Sequence, residues 1–74
     1  MFQYMETKIA DLISRLKLIR EQNEITQHEL SKMSGVSYST LTKLETGIIK
    51  NPSFQVISKI SKALDIKLDD LINL

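Results

Sequence analysis

Ile25 to Gly47 reads ITQHELSKMSGVSYSTLTKLETG, and this order of residues specifies two short helices joined by a tight turn. Thr26 is a good N-cap and Glu29 follows three residues later, the spacing of a capping box. Ile25 before the cap and Leu30 at the fourth helical position have the spacing of a hydrophobic staple. Leu30 and Met33 are expected to form one buried face, and Gly35 supplies the left-handed backbone that a sharp turn needs. Ser37 can cap the second helix. On that helix, at ~100° per residue, Leu41 and Leu44 point one way while Tyr38, Ser39, Thr42 and Lys43 point roughly the other. A helix held from behind and carrying an uninterrupted polar, non-acidic stripe in front has the form needed to lie in the major groove of DNA.

Upstream, Ile9, Leu12, Ile13, Leu16 and Ile19 fall on one stripe at helical spacing, which predicts a helix from about Thr7 to Gln22. Arg20 falls on the same stripe, so it must find a carboxylate or its burial is costly; Glu45 is the best candidate. Leu18 lies on the opposite side as a lone exposed leucine, and Asn23 can end the helix in a left-handed turn. Residues 1–6, MFQYME, alternate aromatic and polar positions, which allows a short extended N-terminal arm. Downstream, Gly47 fits a position just past a helix, and either Asn51 or Ser53 can cap a fourth helix. Val56, Ile57, Ile60, Ala63 and Leu64 are its buried stripe, and Gln55, Lys59 and Lys62 face water. Asp65 ends it. Leu68, Leu71 and Ile72 would pack a short fifth helix, with Asp69 and Asp70 near its positive end. Of Ile48 and Ile49, one is expected to seal the core and the other to meet a second subunit.

Bulk properties narrow the function. A chain of 74 residues with 42% hydrophobic residues is expected to be one domain with one small core and no small-molecule sensor domain. No apolar run approaches the ~18–20 residues that cross a bilayer, and no signal-peptide pattern is present, which fits a cytoplasmic protein. The sequence has no cysteine and one histidine, which leaves no thiol chemistry and makes a metal site or cofactor unexpected. The serines have no catalytic partner set, so no enzyme activity is expected. The net charge of +1 is low for a nucleic-acid binder, but helix N-termini, backbone N–H groups and hydroxyls also hold phosphates.

The chain resembles the phage-repressor-like (Cro/C1, or Xre) helix-turn-helix proteins. The resemblance is carried by Thr26-Gln27-His28-Glu29-Leu30, Gly35-Val36-Ser37, Leu41 to Gly47 and Asn51-Pro52-Ser53. Leu16-Lys17-Leu18-Ile19-Arg20 upstream, and Ile57, Ile60, Ala63-Leu64 and Leu68 to Ile72 downstream, extend it. It implies an all-α, five-helix, lambda-repressor-like domain with a central helix-turn-helix at about 26–46, and it implies the same Arg20–Glu45 pair. It also implies a DNA-binding transcriptional regulator acting as a homodimer on a palindromic operator. Gln27 then clamps a phosphate and touches the recognition helix. Tyr38, Ser39, Thr42 and Lys43 read bases, and Ser37, Thr46, Lys50 and Asn51 contact phosphates. The family has Gly where this chain has Asp65, and Ser or Thr where it has Lys67. The competing expectation is an interaction module of the same fold that neutralises a protein partner such as a toxin; an acidic or bulky apolar stripe in place of the polar one would favour it.

Overall fold

A computed structural model of the chain describes residues 2–72, and the side chains of residues 9–70. The helices are α1 (Phe2–Gln22), α2 (Gln27–Ser34), α3 (Tyr38–Glu45), α4 (Phe54–Ala63) and α5 (Leu68–Ile72), and no strand occurs among the described residues. This is an all-α, lambda-repressor-like arrangement. The core draws Leu16 from α1, Leu30 from α2, Val36 from the turn, Leu41 and Leu44 from α3, and Ile57, Ile60 and Leu64 from α4 and its end. α2 packs on both α3 and α4, and α1 packs on α3 and α5. Each short helix therefore brings one or two large aliphatic side chains to a shared centre, because helices of eight residues have too little surface to be stable alone.

Local chemistry sets the ends of these helices. Thr26 and Glu29 form the full capping box: Glu29 N–H donates to Thr26 Oγ1 at 3.0 Å, and Thr26 N–H donates to Glu29 Oε1 at 2.9 Å. Ser37 and Ser53 cap α3 and α4, each accepting an N–H from three residues ahead, Thr40 and Val56. Ser53, rather than Asn51, is thus the cap of α4. At the end of α1, Glu24, not Asn23, takes the left-handed conformation, with φ of 57°. The Ile25 N–H returns to the Arg20 carbonyl at 3.1 Å and the Glu24 N–H to Glu21 at 3.0 Å. α4 ends in the same way: Asp65 has φ of 57°, and Ile66 N–H returns to Ser61 at 2.9 Å. Both are Schellman motifs, in which the residue after the left-handed one packs back on the helix. Ile25 and Ile66 do so, resting against the core. That contact offsets the ~1–3 kcal/mol of holding a non-glycine residue in left-handed backbone.

Two expectations need correction, and the structure decides between Ile48 and Ile49. The segment read as an extended arm is helical from Phe2 onward; its first residues carry no proline or glycine to stop the helix propagating backward. The side chains of Phe2, Tyr4, Leu71 and Ile72, and all of Asn73 and Leu74, lie outside the described residues. Met33 is 53% exposed, because Leu30 alone fills the buried side of the short α2. Ile49 packs against the core and Ile48 is the free one, at 71% exposed. Thr40 is half-buried and accepts the Ser37 hydroxyl at 2.9 Å, so it serves the α3 cap. Leu18 is exposed. Among the described residues no helix is long and apolar enough to cross a membrane; α1 has the length, but charged residues interrupt it throughout.

Arg20 is a buried charge at the edge of the core, 8% exposed, and the side chain of its partner Glu45 is 7% exposed. Its Nε donates to Glu45 Oε2 at 2.8 Å and its Nη2 to Glu45 Oε1 at 2.7 Å, while Nη1 donates to the Ile25 carbonyl at 2.8 Å. The Glu45 hydrogen bonds raise the Arg20 pKa above its ordinary value, against the opposing effect of burial, so the guanidinium stays charged. Removing one partner of such a pair costs about 3–5 kcal/mol because the other charge stays behind. A domain of this size has only about 4–11 kcal/mol in total. Glu45→Ala is therefore expected to lower the melting temperature by more than about 12 °C. A melt within a few degrees of the parent would show that the pair contributes little.

The capping box adds a pH dependence. The Thr26 N–H held by the Glu29 carboxylate, and the Thr26 hydroxyl beside it, lower the Glu29 pKa below its ordinary 4.5. A carboxylate with a lowered folded-state pKa stabilises the fold above its unfolded pKa, and that contribution is lost as pH falls through the folded value. Glu29→Gln keeps the box geometry but does not titrate. The stability advantage of the parent over Glu29→Gln, from denaturant melts at a series of pH values, should shrink as pH drops below 4.5. A difference that stays constant into strong acid would contradict this.

Candidate nucleic-acid interface

The turn between α2 and α3 decides where α3 points. Gly35 takes φ of 78° and its N–H donates to the Ser31 carbonyl at 3.0 Å. A Cβ at Gly35 would meet nothing within 4 Å, so the position needs glycine for its backbone conformation and not for space. Two serines stitch the turn. Ser31 Oγ donates to the Val36 carbonyl at 2.6 Å, and the Val36 N–H donates to Ser34 Oγ at 3.1 Å. Val36, 5% exposed, plugs the core between the two helices. Sequence reasoning did not single out these serines, since a serine inside a helix has no periodic signature.

On α3 itself, Leu41 and Leu44 are 1% and 2% exposed, and the opposite side is open. Tyr38, Ser39 and Lys43 are exposed and Thr42 is half-buried. The hydroxyls are not equally free. Thr42 Oγ1 donates to the Ser39 carbonyl at 2.9 Å, and Thr46 Oγ1 donates to the Thr42 carbonyl at 2.8 Å. Ser37 Oγ accepts the Thr40 N–H at 3.2 Å and donates to Thr40 Oγ1 at 2.9 Å. The hydroxyl protons of Ser37, Thr42 and Thr46 are thus already directed at the protein. Ser39 keeps an uncommitted hydroxyl, and Lys43 its ammonium. Lys50 and Asn51 are exposed on the connection after α3.

Gln27 is half-buried at the start of α2. Its Nε2 donates to Glu45 Oε1 at 2.9 Å, the same oxygen that holds Arg20. One N–H of the amide is spent on α3, and the second is left over. The next residue, His28, stacks on Tyr38 with ring centroids 3.8 Å apart and planes 3° from parallel. Successive residues of α2 therefore grip the C-terminal and N-terminal ends of α3. His28 is exposed, and only the angle between the two helices brings the rings together.

The helix-turn-helix family profile matches residues 16–71. Among curated proteins, the HTH-type transcriptional regulator SlrR of Bacillus subtilis (strain 168) is 38% identical over 56 residues, covering 76% of this chain and 37% of its own length. The HTH-type transcriptional regulator SinR of Bacillus licheniformis is 34% identical over 59 residues, 80% of this chain and 53% of its own. The chain thus spans between a third and about half of these two relatives. An uncharacterized HTH-type transcriptional regulator of Methanocaldococcus jannaschii, MJ0272, is 34% identical over 58 residues, 78% of this chain and 86% of its own. No solved structure matches the chain significantly. With the profile spanning the C-terminal third of α1, all of α2 to α4 and most of α5, the chain belongs to the Cro/C1-type helix-turn-helix family.

Proposed function

We propose that the chain is a sequence-specific DNA-binding transcriptional regulator that works in the cytoplasm, inserts α3 into the major groove and acts as a homodimer on a palindromic operator. The observation that carries this reading is the outer face of α3. It is polar, without an acidic residue, backed by two fully buried leucines, and tied to α2 at its end through Gln27, with His28 stacked on Tyr38 at its start. The names of its relatives as transcriptional regulators support the same role.

Contacts to phosphate fix position, and contacts to base edges fix sequence. Lys43, free on the groove side, seeks the O6 and N7 acceptors of guanine. Ser39 donates or accepts. Thr42, with its hydroxyl turned back to the helix, offers its methyl to thymine, and the Tyr38 ring does the same. Gln27 uses its remaining N–H on phosphate, and Lys50 and Asn51 take phosphates beyond α3. Ser37 meets phosphate through the backbone N–H groups at the start of α3, whereas Thr46, whose N–H and hydroxyl both donate to the Thr42 carbonyl, reaches phosphate only by turning its hydroxyl outward. Lys43→Ala is expected to lose about 1–3 kcal/mol on the cognate site and to relax preference at one base position. Lys50→Ala should weaken cognate and scrambled duplexes about equally and make the salt slope shallower by about one unit. Binding isotherms across a salt series distinguish the two. Equal weakening of both duplexes by Lys43→Ala would remove Lys43 from base reading.

Dimerisation rests on two apolar side chains that the core leaves outside. Ile48 and Phe54 are 71% and 72% exposed and flank the connection between α3 and α4. On a palindromic operator the two-fold contact must hold the two recognition helices ~34 Å apart, one turn of DNA. Light scattering should return a dimer mass on operator DNA, and Ile48→Glu with Phe54→Glu should abolish it. A strictly monomeric mass, free and on DNA, would overturn the dimer.

A further inference from the structure

We infer that His28 is a specificity-positioning residue: its imidazole holds the Tyr38 ring in one orientation, so that the two rings enter the groove as a single rigid edge. This rests on the DNA-binding reading above. The rings lie 3.8 Å apart and 3° from parallel, a separation within the ~3.5–4.0 Å optimum for carbon contacts, so they touch across their faces. Neither belongs to the core. His28 is exposed, and Tyr38 is 41% exposed, so the contact does little to hold the fold together. Tyr38 is the first residue of α3, where the preceding backbone bends to the Ser37 cap. A side chain there has no helical turn before it to restrict its rotamers. Nothing else among the described residues stacks on it.

The stack removes that freedom. A tyrosine that swings costs entropy to order against a base, whereas one already held does not. His28 has the reach because it stands on the first turn of α2, next to Gln27, which is itself bonded to Glu45 at the far end of α3. Pinning is thus double, with Gln27 fixing one end of the recognition helix and His28 fixing the tyrosine at the other. A histidine that only filled surface would leave sequence preference untouched when removed. One that positions Tyr38 would change preference at the base pair that Tyr38 meets, and nowhere else.

The test starts with selection of duplexes from a random pool by the full chain, which defines the preferred site. Parent, His28→Ala, His28→Phe and Tyr38→Ala are then measured on that site and on its single-base-pair substitutions, with thermal melts as a control for folding. The expected result is that His28→Ala melts like the parent and loses roughly three- to tenfold of discrimination. The loss falls at the same base pair that Tyr38→Ala affects, and His28→Phe, which keeps a flat ring, restores most of it. The double variant should be no worse at that position than Tyr38→Ala alone. Discrimination unchanged in His28→Ala, lost evenly over all positions, or lost at a base pair that Tyr38→Ala leaves alone would each overturn the positioning role while leaving DNA binding intact. If the parent enriches no sequence, the DNA reading falls and this role falls with it.

Discussion

The orientation of α3 depends on one carboxylate. Glu45 takes two hydrogen bonds from Arg20 on α1 and one from Gln27 on α2, so three helices meet at its two oxygens. The side chains of the pair are 10% and 7% exposed, and at such burial the attraction of two charges is largely consumed by their lost hydration. An apolar pair of similar volume could match its stability. It could not supply the acceptor for Gln27 or the fork geometry that lets a guanidinium fix a carboxylate in one plane. The pair is better understood as a device for angle than for strength. Arg20 also donates to the Ile25 carbonyl, which ties down the chain as it enters the capping box.

From this point the rest of the proposed DNA-facing surface follows. α2 reaches α3 at its end through Gln27 and at its start through His28, and the serine-stitched turn closes the third side. The residues between these anchors, Ser39 and Lys43, are left open. With a net charge of +1, long-range attraction to a phosphate backbone is weak. On the proposed reading, discrimination then depends on contact geometry, which a pinned helix provides and a loosely held one would not.

Much of this was legible in the sequence because it is local or periodic. Caps act within three residues, so Thr26, Glu29 and Ser37 could be read directly. The position of Arg20 on an apolar stripe forced a partner, and Glu45 is the acid that ends the helix facing it. What escaped has physical reasons. Glycine is the usual sign of a left-handed helix end, so Glu24 gave no warning, and Asp65 was read as the end of α4 without its left-handed backbone; the closing force at both is the isoleucine that follows each. Met33 was misplaced because an eight-residue helix needs only one large side chain to be buried. The N-terminal segment was read from aromatic alternation, yet nothing in it opposes continuation of the helix. The His28–Tyr38 stack links two helices at an angle no one-dimensional pattern encodes. Ile48 and Ile49 showed that one of them must be free, but which one depends on the path of the loop.

The measurement that bears most directly on the central claim, that α3 is the surface held ready for DNA, is a titration of the isotopically labelled chain with its preferred duplex, followed through backbone amide chemical shifts. The expected result is a set of large shifts at residues 27–28, 37–43 and 46–51. Amides at the outward positions of α4, Gln55, Lys59 and Lys62, should stay in place apart from any dimer contact near Phe54. Shifts concentrated on the outer faces of α1 or α4, with α3 unmoved, would contradict it.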